Sequence, residues 1–185
     1  MESLNVIILA GGKSSRMGED KGLMSLFGKP MIGYVIDTVH ELTDHITIVS
    51  NNDQYNQFGL DVIKDEIPDK GPLGGIYTGL QHSKFDQNII LSCDIPYIKI
   101  GLLKYLLQQS KGYDITIPIH KEQIHPLIGI YQKSCLNNIK KNLISGNLKV
   151  TDSFSGLKLN IVETDEFDEI AFKNLNSKQD INPSI

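Results

Sequence analysis

The sequence predicts an α/β protein, a three-layer sandwich whose mainly parallel sheet carries helices on both faces. Short apolar runs alternate with segments of helical spacing along the chain, the pattern of β-α units. The first runs give way to glycines or to an acidic residue, at Gly11-Gly12, Asp65 and Asp94, as the ligand-bearing ends of parallel strands do. With 185 residues, 40% hydrophobic and 22% charged, the chain is expected to form one domain over residues 1–185 with an ordinary buried core.

Asn5–Ala10 reads as a buried first strand, apolar and stopped by Gly11-Gly12. A loop rich in glycine and serine follows to about Gly22. Phe27–Pro30 is a turn, and Pro30 suits the start of a helix. Ile32, Val35, Ile36, Val39 and Leu42 then recur at helical spacing. Ile46–Ser50 and Asp61–Lys64 are the second and third strands. Gly71–Gly75 reads as a turn leading into a helix through Leu80, and Asn88–Ser92 as the fourth strand. Ile100–Gln109 is helical, Asp114–Pro118 and Leu127–Tyr131 are extended, and Lys133–Ile144 is a helix closed by Gly146. A strand near Lys158–Glu163, an irregular piece around Phe172–Asn176 and a short terminal helix complete the chain. In such a sheet, Gly11–Lys21, Asp65–Leu73 and Asp94 meet at one rim, beyond the carboxyl ends of the strands.

Composition excludes several classes. No apolar run approaches the roughly 18 residues of a membrane span, and MESLNVIILAGG lacks the form of a signal peptide, so a cytoplasmic location is expected. Cys93 and Cys135 offer neither a CxxC pair nor a Cys/His cluster. The net charge of −4 argues against nucleic acid as a partner, although Lys13, Arg16, Lys21 and Lys29 gather near the N-terminus.

Those cations belong to LAGGKSSRMGEDK, residues 9–21. Gly12-Lys13-Ser14 looks like the end of a P-loop, but GxxxxGK[ST] requires glycine where this chain has Ile7, in mid-strand. The GxGxxG fingerprint fails as well. What remains is a loop with its glycines first and its cations later. Adjacent glycines let backbone N–H groups approach a ligand, while Arg16 and Lys21 lie far enough along to fold back over it. Such a loop suits a nucleoside triphosphate laid across the sheet rim; the plainer alternative is a surface loop with solvated charges. Asp94, at the end of an apolar strand, suits either Mg²⁺ or a helix cap. Asn174 and Asn176 alternate in an extended segment and would point the same way, unless they are ordinary turn residues.

The stretch LAGGKSSRMGEDK resembles the signature LAGGxSxRMGxDK of the molybdenum cofactor guanylyltransferases, the MobA-like branch of the nucleotidyltransferase superfamily. The resemblance continues through GKPMI (28–32), GPLGG (71–75), SCDIPYI (92–98), His125-Pro126 and FKNLN (172–176). It implies a Rossmann-like fold of the nucleotide-diphospho-sugar transferase kind. It also implies transfer of GMP from GTP to the terminal phosphate of molybdenum-bearing molybdopterin, with Mg²⁺ as cofactor. Arg16, Lys21 and Asp94 would be catalytic, with Asp94 the metal ligand. The nucleotide would meet Leu9, Ala10, Gly11, Gly12, Lys21, Asn51, Asp65, Gly71, Pro72, Leu73 and Asp94. His125, Asn174 and Asn176 would face the acceptor. GTP and molybdopterin are then the small-molecule partners, and transient contact with cofactor-biosynthesis proteins or molybdoenzymes is admitted. The chain departs from the family's VNANR, which here reads VSNND (49–53): Asn51 or Asn52 takes the asparagine contact, or the contact is absent. A cytidylyltransferase or a non-catalytic nucleotide-binding domain would share much of this pattern. Retention of Arg16, Lys21 and Asp94 together argues against the latter.

Overall fold

The computed structural model describes residues 4–11, 20–67, 69–176 and 180. Ten strands and four α-helices succeed one another among them. These are β1 (Leu4–Leu9), β2 (Ser25–Leu26), β3 (Lys29–Pro30), α1 (Met31–His40), β4 (Ile46–Val49), β5 (Asp61–Ile63) and α2 (Gly71–His82). There follow β6 (Gln87–Ser92), α3 (Ile100–Gln109), β7 (Ile115–His120), β8 (Gln123–Ile124), β9 (Ile128–Gln132), α4 (Leu136–Ser145) and β10 (Leu159–Glu163).

The main sheet runs in the order β10-β7-β9-β6-β1-β4-β5, with short β8 paired to β7. From β6 through β1 and β4 to β5 every pairing is parallel. β9 runs antiparallel to both β6 and β7, while β10 is again parallel to β7. Most strands therefore point one way, and the expectation of a mainly parallel sheet is met with β8 and β9 reversed. Alternation along the pleat sends successive side chains to opposite layers. Val6 and Ile8 pack with α1 and α3, whereas Ile7 and Leu9 pack with α2 and α4.

The structure redraws several local expectations. Gly71–Gly75 is not a turn before α2 but its first turn, begun by Gly71 at a φ of +60° with Pro72 beside it, where proline costs no helical hydrogen bond. The turn at Phe27-Gly28 is the tip of the β2–β3 hairpin. Residues 53–58 form a 3-10 helix that periodicity does not announce, and Lys133–Cys135 forms another before α4. The terminal helix falls outside the described residues, apart from Asp180. No described helix is long and apolar enough to cross a membrane.

Candidate active site

The carboxyl ends of β1 and β4, the segment after β5 and the first turn of α2 enclose a cleft of about 730 Å³. Leu9, Ala10, Gly11, Asn51, Asp65, Gly71 and Pro72 all line it, so these expected nucleotide contacts share one wall. Leu73 differs: its side chain is fully buried in the core between α2 and the sheet. Only its backbone can reach a ligand, in a helical turn whose N–H groups lack intrahelical partners. Gly12 and Arg16 lie outside the described residues.

Where the chain departs from VNANR, two adjacent asparagines follow β4 and bond in different directions. Asn51 Oδ1 accepts the Asp65 N–H at 3.0 Å. Asp65 Oδ1 in turn accepts from the Ile67 N–H and the Thr78 hydroxyl, each at 3.1 Å. Asn52 turns the other way. Its Oδ1 caps the 3-10 helix at Gln54 N, and its Nδ2 donates to Asp20 Oδ2, both at 3.0 Å.

At the edge of the cleft, Lys21 meets the end of β6. Its Nζ stands 3.7 Å from Asp94 Oδ2 and donates to Asn176 Oδ1 at 2.7 Å. Asp94 Oδ1 accepts from the Ser92 hydroxyl at 2.5 Å and from Asn174 Nδ2 at 3.0 Å. Between the two asparagines, Leu175 is buried against Met24, Leu26 and Met31, and its N–H binds the Asp94 carbonyl at 2.9 Å. The extended alternation thus turns Asn174 and Asn176 together onto the Lys21–Asp94 pair. Cys93, next to Asp94, is buried; burial first and the Asp94 charge second push its thiol upward, so it packs as an apolar group.

His125 stands farther along the rim, its ring 4.9 Å from that of Phe172. Burial, then neighbouring His120, holds His125 below the ordinary histidine range. His120 is a buried strand residue stacked on Phe172 at 4.4 Å. Its Nδ1 lies 3.0 Å from the Thr164 carbonyl, which can only accept, so that nitrogen carries the proton.

Sequence reasoning missed Asp20, Ser50 and Asp69, which line the cleft together with Asn52. Asp20 stood inside the quoted motif; a search for groups attracted to an anion passes over a carboxylate. Among the described residues, no three His, Cys, Asp or Glu side chains are placed to hold a metal ion. Among the described residues, Asp94 offers a carboxylate oxygen beside Lys21. That suits a cation such as Mg²⁺, which usually takes one or two carboxylates and completes its shell with phosphate oxygens and water.

A parallel half-sheet opening onto a backbone-lined cleft, with a lysine and an aspartate facing each other at its edge, defines a nucleotidyltransferase. Residues 6–155 match the MobA-like NTP transferase domain, and the chain belongs to that family. It is 39% identical over 183 residues to a probable molybdenum cofactor guanylyltransferase of Flavobacterium johnsoniae, covering 98% of this chain and 96% of that one. A relative of the same name from Carboxydothermus hydrogenoformans is 35% identical, over 91% of this chain and 86% of its own. The molybdopterin-guanine dinucleotide biosynthesis protein A of Archaeoglobus fulgidus superposes with a TM-score of 0.81. At 24% identity, covering 97% and 95% of the two chains, it supports the fold.

Proposed function

We propose that this chain transfers GMP from GTP to the terminal phosphate of molybdenum-bearing molybdopterin, releasing pyrophosphate. An oxygen of the acceptor phosphate attacks the α-phosphorus, a new P–O bond forms, and the bond to the bridging oxygen of pyrophosphate breaks. The acceptor is already anionic, so no protein nucleophile is needed. Catalysis rests on alignment and charge stabilisation.

The observation that carries the reading is the meeting of Lys21, Asp94, Asn174 and Asn176 beside the nucleotide cleft. Lys21 neutralises phosphate oxygens as a point charge. The backbone at Gly11 and the first turn of α2 hold the nucleotide, and Asp65, whose N–H is held by Asn51 and whose Oδ1 accepts from Thr78, meets the base. Arg16 belongs to the proposal through the motif alone. Asn174 and Asn176 orient the acceptor, with His125 beyond them. Asp94 would hold Mg²⁺, which when bound neutralises charge on the triphosphate and the departing pyrophosphate. The reading includes a single domain in the cytoplasm and passing contact with proteins that deliver or receive the cofactor.

The test is pyrophosphate release with molybdopterin and Mg²⁺, comparing GTP with CTP. GTP-dependent release supports the reading. Release with CTP alone assigns the cytidylyl reaction, and tight GTP binding without turnover assigns a binding domain.

A further inference from the structure

We infer that Asp20 is a positioning residue that latches the turn Lys21–Leu23 to Tyr55 and Asn52 and thereby aims Lys21 at Asp94. The inference rests on the nucleotidyl-transfer reading above and adds to it a residue with a different job.

Asp20 is an acid in a cleft built for a polyanion, and it is saturated with donors. Oδ1 accepts from the Tyr55 hydroxyl and, at 3.2 Å, from the Gly22 N–H. Oδ2 accepts from Asn52 Nδ2 at 3.0 Å. Hydrogen bonds to an ionised acceptor are about twice as strong as neutral ones, and here they hold the carboxylate on the protein side. Its charge is spent on the loop.

The latch has a rigid anchor. Tyr55 is fully buried in the core formed with α1 and α3, and Asn52 caps the helical segment that carries it. Burial first, and neighbouring Cys93 second, raise Tyr55 far above the ordinary phenol range, so its hydroxyl keeps the proton it donates. On the loop side, Asp20 caps the turn Lys21–Leu23. Gly22 lies so close to Tyr55 and Cys93 that a Cβ there would collide with the hydroxyl. The turn is pinned from both directions, and Lys21 leaves it toward Asp94 at 3.7 Å and Asn176 at 2.7 Å. Orientation of one charged group to within about an ångström is worth large factors in rate.

The test is a double-mutant cycle on the turnover number for pyrophosphate release, in the full chain with Mg²⁺ and molybdopterin. Wild type, Asp20→Ala, Lys21→Ala and the double variant are compared. Asp20→Ala is expected to lower turnover about tenfold, within the range for residues coupled in one hydrogen-bond network. In the Lys21→Ala background the same change should cost less than about twofold, because the group it aims is gone. An equal loss in both backgrounds, or no loss in either, overturns the inference. Should Asp20→Ala fail to fold, Tyr55→Phe removes one donor at constant shape and is read the same way with and without Lys21. The cycle uses whichever nucleoside triphosphate the wild type turns over. Failure of the guanylyl reading therefore shows in the wild type, and failure of the latch shows only in the cycle.

Discussion

The two halves of the rim are built differently. On the side of β1, β4 and β5 the walls are strand ends, glycines and a helix N-terminus, and the cleft stays open. On the side of β7, β9 and β10 the rim is filled by His120, His125 and Phe172 packed ring against ring. The first half offers backbone groups, whose positions the sheet guarantees. The second offers side chains on a hairpin and an extended segment, which can be exchanged without disturbing the β-α core. Asp94 follows β6, the strand with a parallel partner on one side and an antiparallel partner on the other. Asp94 thus sits on the seam between an open half and a filled one.

The largest effect should come from the seam itself. Asp94→Ala should lower Mg²⁺-dependent pyrophosphate release by at least ~10², the scale for losing one preorganised electrostatic group, with an unchanged circular dichroism spectrum. Turnover near wild type would detach the reaction from Asp94.

Crossing the halves gives smaller, separable effects. Asn174→Ala removes a hydrogen bond to an ionised carboxylate and should raise KM for molybdopterin about tenfold, leaving KM for GTP nearly unchanged. Asn51→Ala frees the backbone N–H of Asp65 and should do the reverse, raising KM for GTP about fivefold. If both variants moved the same KM, the division of the rim would be wrong.

The smallest effect is in stability. Burial and His120 lower the pKa of His125 in the folded chain. Between that lowered value and the ordinary one near 6.5 the unfolded chain binds the proton and the folded chain does not, so acidification through this window favours unfolding. Melting temperature should fall as the pH drops below the ordinary histidine range. His125→Gln should flatten the slope, and parallel slopes would assign the effect elsewhere.

The open half was the more legible in sequence, for the same reason that it is open. A parallel strand stopped by glycine or aspartate announces both its element and its ligand end, and Gly11, Asp65 and Gly71 do meet in one cleft. Helix α3 has the very bounds that its spacing predicts. Strand direction leaves no mark in periodicity, so β9 could be found without its reversal being read. The β7–β8 hairpin turns on Lys121 and Glu122, both at positive φ, where neither glycine nor asparagine advertises the bend. The role of Asp20 was illegible for another reason. Two of its partners, Asn52 and Tyr55, stand 32 and 35 residues away, and contacts at that range have no local signature.

The burial of Leu175 against Met24, Leu26 and Met31 has a consequence in time as well as in space. Synthesis delivers the chain from its N-terminus, and domains begin to fold as they emerge. The strands of the sheet and the walls of the cleft are all encoded before residue 164. Asn174 and Asn176 arrive later, and Leu175 seats them by closing on residues made some 150 positions earlier. The surroundings of Lys21 and Asp94 are therefore completed by one of the last described segments of the chain to be made.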